Sequence, residues 1–561
     1  MNNIIKQIQI LFDKELYSNV VKICDLALTA ADQKPDSLTP LNKIQITNYY
    51  ADSLYATEQY QHAEIYYRQC IQLRKHIIKN KNGKSADKCN DLPSEADLKY
   101  RIHLCLISLK KNSAALEVLQ SISGKQKDAK INMALGNLLK ESGMERMAAV
   151  AYKEVLEECP FALEAVESLL KLGMKGADVN SLTVEATNEV SWLKTWLKAQ
   201  AQLYSRDFSN AIETYKQIDV QGILKDNVYL LVNMGYCYHY LCEDKKAIEI
   251  LQRAHTLDSN MVVGLDLLSN LLADSEDENQ SEYLESLVPK SDMHTWSSEH
   301  WVVFANYMYN CKNFEKAVYF AHQALLLGRK NNIEALLAKA NSFFKLGKYQ
   351  DAASACAEAL HICSYRFDVH KCLVDCYLKM NRLREADTTA LNACKQFNNS
   401  THSLKLHARV MLKDPTRNSK NIKKVLEKAI TQDKESSTNA VILLVIFLQQ
   451  ETQYETAKHL LQKQIENHPS SRLYQLLGDC FMSLSKDEDA FDSYNTALRL
   501  DPYNQRAVEG LNLIGPNPAN SKRESYYTCV GDSSYPSQST LASEHEIDAE
   551  SDSDLWPNNS F

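Results

Sequence analysis

Little in this sequence interrupts a helix. Of its 561 residues only 15 are glycine and 12 proline, well under the usual shares of about 7% and 5%. That scarcity excludes the many-turned all-β architectures and favours an all-helical chain. Long apolar runs are also missing. The longest is 440–448, where a membrane span needs about twenty residues, so no membrane partner is expected. Residues 1–16 carry polar and charged residues throughout and do not read as a signal peptide. The 15 cysteines form no CxxC pair and read as reduced thiols in a cytosolic or nuclear protein. Cys372 and Cys376 stand one helical turn apart, but no other Cys or His has a spacing that completes a zinc site. HExxH, GxSxG and GxGxxG are absent. Gly83-Lys84-Ser85 looks like the end of a phosphate loop, yet Ile78 stands where its first glycine is required. His239 sits among aromatic positions and reads as a packed structural histidine. No catalytic residue, cofactor or metal is therefore expected.

Basic residues are missing from the C-terminus. After Arg523 there is no Lys or Arg, and eight acids follow: Glu524, Asp532, Glu544, Glu546, Asp548, Glu550, Asp552 and Asp554. The remaining 63 acidic residues balance 63 Lys and Arg. A body that is formally neutral gives no field for nucleic acid.

What the chain has is a repeat. Tyr474, Leu477, Gly478 and Phe481 share one helical face; Ala490, Tyr494 and Ala497 share a second; Pro502 ends the unit. These offsets match the 34-residue tetratricopeptide pattern. Small residues at Gly478 and Ala490 let two antiparallel helices approach, and are expected to face each other. The same frame holds Gly136 with Ala148, and Gly235 with Ala247. Ala317, Ala352 and Ala386 repeat at 35 and 34 residues. Stretches 162–190 and 262–294 keep helical periodicity without the signature, as degenerate repeats. Residues 74–93, rich in Lys and Asn, read as a linker.

The fold class is thus all-α: a tetratricopeptide superhelical solenoid with a disordered acidic tail. Three segments are expected: an N-terminal array at 1–294, a C-terminal array at 295–513, and the tail at 514–561. Arrays of this kind bind partners along the groove lined by their first helices. Groove positions fall at Val302, Asn306 and Tyr309, then at Leu337, Asn341, Phe344 and Lys345, then at Asp375 and Lys379. Stacked asparagines suit a peptide backbone, because one amide both donates and accepts. Ile442 and Ile446 place apolar surface on the same side, as if a partner segment covered it.

Beyond the generic repeat, Leu92-Pro93-Ser94-Glu95, Lys130-Ile131-Asn132-Met133, Tyr152-Lys153-Glu154-Val155-Leu156 and Lys175-Gly176-Ala177-Asp178-Val179 occur in an order and spacing that resemble the family of anaphase-promoting complex (cyclosome) subunit 7. The resemblance covers about 1–513. It implies a non-catalytic scaffold subunit of a cell-cycle ubiquitin ligase. Its implied partners are a second copy of the chain, joined through N-terminal repeats, and other tetratricopeptide subunits. The implied location is the nucleus, the cytoplasm and the mitotic spindle. A stand-alone adaptor or co-chaperone is the rival reading. That class uses a basic clamp, and Leu337 occupies a groove position where a clamp lysine belongs.

Overall fold

Successive helices are joined by tight turns, and the turns reveal the repeat more regularly than the glycines do. Left-handed residues close the first helix of pair after pair: Lys110, Gly143, Gly173, Arg206, Cys242, Lys312, Gly347, Asn381, Thr452 and Ser485. Their φ values lie between 58° and 83° for all but Asn381, at 57°, and Ser485, at 56°. A left-handed residue after the last turn lets following N–H groups reach back to orphan carbonyls. Lys110 and Lys111 do this, donating to Ile107 and Leu106 at 2.8 Å each. The left-handed conformation costs a non-glycine residue about 1–2 kcal/mol, so the antiparallel packing it allows outweighs local preference.

The structure is a computed structural model. It describes residues 2–34, 38–80, 93–220, 222, 224–273, 278–328, 332–414, 419–432 and 438–514. The acidic tail, Gly83-Lys84-Ser85 and most of the expected linker lie outside them. Among the described residues there is no strand, and the chain is a tetratricopeptide solenoid. The expected linker begins later than the sequence suggested. Helix Tyr60–Asn80 continues into it, and the Arg74 guanidinium donates to the Pro93 carbonyl at 2.5 Å.

The chain divides into two compact units, 1–399 and 400 onward. The expected boundary at 294/295 lies inside the first, where helices Leu265–Ala273 and Ser298–Asn310 pack together. Twenty-three α-helices make up the described part of the first unit, eleven successive pairs with the short Val184–Glu189 as an extra. The second holds three pairs and a closing helix, Gln505–Ile514. Ala148, Ala247, Ala317, Ala352, Ala386 and Ala490 are all fully buried at helix crossings.

The glycines have a different partner from the one expected. A Cβ on Gly478 would lie 2.6 Å from the Tyr494 ring, one turn beyond Ala490. Gly136 meets Tyr152 at 2.7 Å, and Gly235 meets Leu251 at 2.7 Å. Each glycine therefore makes room for the large side chain sixteen positions on, and the alanine fills the next crossing point.

Candidate partner-binding site

Three first helices of the first unit build a cleft. Ser298–Asn310 starts at a capping box in which Ser297 and His300 bond reciprocally. Ile333–Lys345 starts at Asn332, whose side chain accepts from the Ala335 N–H at 3.0 Å. Phe367–Lys379 follows Arg366, with Asp368 in its first turn. Side chains at helical spacing then converge: Tyr309 from the first; Leu337, Asn341, Phe344 and Lys345 from the second; Asp368, Lys371, Cys372 and Asp375 from the third. They enclose about 200 Å³. Six of the groove residues chosen from sequence, Tyr309, Leu337, Asn341, Phe344, Lys345 and Asp375, thus share one cleft.

Its chemistry is mixed. Lys345 and Lys371 are exposed at the rim, and Asn341 is half-buried with its carbonyl accepting from the Cys372 thiol at 3.5 Å. The neighbouring thiols of Cys356 and Cys376, together with burial, hold the Cys372 thiol well above the usual thiol range. Cys356 comes from the preceding helix, so sequence spacing alone points only to Cys372 and Cys376. Even so, no group of three or more His, Cys, Asp and Glu among the described residues is arranged to hold a metal ion. No helix among them is long and apolar enough to cross a membrane.

Asn306 is placed elsewhere. It is 3% exposed, and its amide donates to Ser269 at 2.9 Å and to Asn270 at 2.6 Å. The two asparagines expected to stack in the groove therefore do different things: Asn341 lines the cleft, while Asn306 ties its helix to Leu265–Ala273. Val302 is fully buried. Ile442 and Ile446 belong to the second unit, half-buried against its core.

Behind the cleft lies a buried ionic cluster that sequence reasoning missed. Arg366, 2% exposed, forms a bidentate pair with Glu334 and donates to Asp368 at 2.6 and 3.0 Å. Glu334 accepts from the Asn270 amide at 2.6 Å. Asp368 also approaches His239 at 3.5 Å, and the other ring nitrogen of His239 meets Asp244 at 2.9 Å. Burial and the Arg366 charge act against protonated His239, but the bonds to Asp244 and Asp368 prevail and raise its pKa to about 9. Burial, followed by the repulsion of Glu334, lifts Asp266 to about 7. Asp368 runs the other way: burial pushes it up, but Arg366 and His239 hold it well below the usual carboxylate range. Next to this cluster the Arg206 guanidinium lies 4.5 Å over the Tyr365 ring, which meets Tyr240 edge-on at 5.3 Å. Helix Val228–Tyr240 is thereby joined to a segment more than a hundred residues later.

A second cleft of about 440 Å³ opens between Glu95–Ser108 and Ala129–Glu141, lined by Tyr100, His103, Met133, Asn137 and their neighbours. The Lys130 ammonium sits 4.4 Å over the Tyr100 ring there. Helical spacing of Tyr100, Leu104 and Ile107 was the available signal for this cleft.

Residues 471–504 match the tetratricopeptide repeat family model. A relative from Homo sapiens named anaphase-promoting complex subunit 7 is 33% identical over 523 residues, covering 91% of each chain. The Mus musculus protein of that name is 34% identical over 510 residues, covering 88% of this chain and 89% of its own. The crystal structure of the APC/C hetero-tetramer Cut9-Hcn1 matches with a TM-score of 0.58 at 14% identity, over 91% of this chain and 95% of that one, which shows a shared fold. Identity of 33% carried through 91% of both chains shows that this chain belongs to the anaphase-promoting complex subunit 7 family.

Proposed function

We propose that the protein is a non-catalytic scaffold subunit of the anaphase-promoting complex, a cell-cycle ubiquitin ligase, acting by protein–protein binding along its repeats. The match to subunit 7 relatives over about nine-tenths of both chains carries this reading. A repeat array supports it physically, because each repeat presents a groove surface without having to build a reaction centre. The partners are other tetratricopeptide subunits and a second copy of the chain. The nucleus, cytoplasm and spindle are where such a subunit works. Purification of the chain from its own cells tests the assignment. A discrete particle near a megadalton, containing the cullin and RING subunits, is expected. A free chain of 63.8 kDa, or a chaperone pair, favours the adaptor reading instead.

The homodimer is tested by light scattering. The full chain should weigh twice 63.8 kDa, and a truncation that keeps 1–399 should likewise weigh twice its own chain mass. Cutting at 294 would separate Asn306 from Ser269 and Asn270, so the unit boundary is the better place. A folded but monomeric 1–399 would remove the dimer from the proposal. The cleft at Tyr309, Asn341, Phe344, Lys345 and Asp375 is the proposed seat for a partner segment. Asn341→Ala with Lys345→Ala should weaken partner retention without lowering the melting temperature.

A further inference from the structure

Helix Ser419–Gln432 of the second unit carries Lys420, Lys423, Lys424 and Lys428, all exposed, against a single acid, Glu427. Its apolar residues Ile422, Leu426 and Ala429 are buried, so the lysines form its outward face. Lys420, Lys424 and Lys428 recur every four residues, which places their stems about 6 Å apart along the axis. The tail has a matching period. Glu544, Glu546, Asp548, Glu550, Asp552 and Asp554 alternate without a gap. In an extended segment, alternate side chains point the same way and recur every 6–7 Å or so. Three consecutive acids therefore span about the same length as three lysines of the stripe.

We propose that the acidic segment 544–554 of this chain docks along the outward face of helix Ser419–Gln432, with alternate carboxylates over Lys420, Lys424 and Lys428. Charge complementarity selects this occupant: the helix carries a net +3, while the chain after Arg523 holds eight acids and no Lys or Arg. Reach permits it. About 30 residues separate Ile514 from Glu544, and a chain of that length reaches at most roughly 100 Å. Ile514 closes the same unit, two helix pairs on from the lysine helix, and packed helices lie about 8–10 Å apart. Single exposed ion pairs contribute little, so the contact rests on several pairs together and is weakened by salt. The tail thereby covers a basic face until a stronger acidic ligand or higher salt displaces it.

Carbodiimide coupling of the full chain tests this, since it joins a lysine amine to a carboxylate within contact distance. A mixture of isotopically light and heavy chains, digested and weighed, reports which residues are joined and whether they share a chain. At about 50 mM salt, links from 544–554 should concentrate on Lys420, Lys424 and Lys428, within one chain, and fall at least several-fold at 500 mM. Links scattered over lysines of the whole surface would overturn the proposal. Links of hybrid mass would give the site to the tail of a second copy and overturn it in this form. A second measurement uses Lys420→Glu with Lys424→Glu and Lys428→Glu, after circular dichroism shows the fold unchanged. Cleavage after Glu544, Glu546 and Glu550 by a glutamyl endopeptidase should be several-fold faster in this variant at low salt and equal at high salt. Equal rates at both salts would overturn the docking.

Discussion

The hydroxyl of Tyr494 donates a 2.7 Å hydrogen bond to Asp479, fifteen residues earlier. The same bond joins Tyr152 to Asn137 at 2.7 Å and Tyr67 to Asp52 at 2.6 Å. In each case the residue before the acceptor is small: Gly478, Gly136 or Ala51. The small residue admits the ring, and its neighbour receives the hydroxyl. One signature position thus satisfies both the apolar and the polar half of tyrosine.

Adding a methyl to Gly478 should therefore destabilise the second unit. The new Cβ would fall 2.6 Å from the Tyr494 ring, against which Gly510 packs closely as well. Gly478→Ala should cost about 1–3 kcal/mol despite its better helix propensity. Ala490→Leu should cost a similar amount. Hydrogen exchange should quicken in Ser471–Ser483 and Asp487–Leu500 and stay unchanged before residue 400. A uniform rise along the chain would contradict local packing.

Arg366→Met should destabilise the first unit by about 3–5 kcal/mol, because Glu334 is left buried without its cation. Pairing it with Glu334→Met should restore much of the loss. Thermal or urea unfolding of the single and double variants decides the matter. A double variant no better than the single would show that Arg366 stabilises by packing rather than charge.

The cluster also predicts a pH dependence. His239 has its pKa raised to about 9, so its contribution is whole below pH 6.5 and is lost as pH rises through 9. Asp266, raised to about 7, contributes fully below its ordinary 3.8 and loses that by pH 7. Asp368 is lowered, so its contribution is present above 3.8 and lost in stronger acid. Local opening of Val228–Tyr240 and Phe367–Lys379 should therefore be harder at pH 6 than at pH 9, by on the order of 2–3 kcal/mol. Exchange rates corrected for intrinsic pH effects measure it. Equal protection at the two pH values would refute the assignment of charge to His239.

Thr452 is exposed and sits at φ 61°, a conformation that a branched side chain rarely adopts. Thr452→Gly should stabilise the second unit by up to about 1 kcal/mol, the relieved strain being partly offset by glycine's greater freedom when unfolded. A lower urea midpoint would mean the threonine side chain has a packing role that outweighs the strain.

Cutting after Leu513 should change the melting temperature by less than about 2 °C. The tail lacks an apolar face to bury, and surface ion pairs contribute little to folding. A fall of more than a few degrees would place tail residues in the core.

The repeat is legible because Gly478, Ala490 and Tyr494 announce a spacing that only paired helices satisfy. Convergence of Asn341, Phe344, Lys345 and Asp375 follows from that same spacing. The turns are less legible. Lys110, Arg206, Cys242 and Lys312 take the left-handed conformation usually marked by glycine, so composition hides them. The ionic cluster is invisible for another reason. His239 reads as a packed residue, and it is one, but nothing in the local pattern says that its anion comes from Asp368 or that Arg366 is buried. Asn306 and Asn341 occupy equivalent repeat positions, and only the neighbouring helix decides which amide stays open.

The ties from His239 and Asn270 to Arg366, Asp368 and Glu334 have a consequence during synthesis. A purely nearest-neighbour array can set each repeat as it leaves the ribosome. Here His239 emerges 127 residues before Arg366, roughly 6–25 s ahead at usual elongation rates. For that interval the nascent chain presents Tyr236 and Tyr240, joined 27 residues after His239 by Asp266, without the segment that later seals them. The first unit is thus an assembly whose early windings stay sticky until a late clasp arrives, and chaperones would find their opening there.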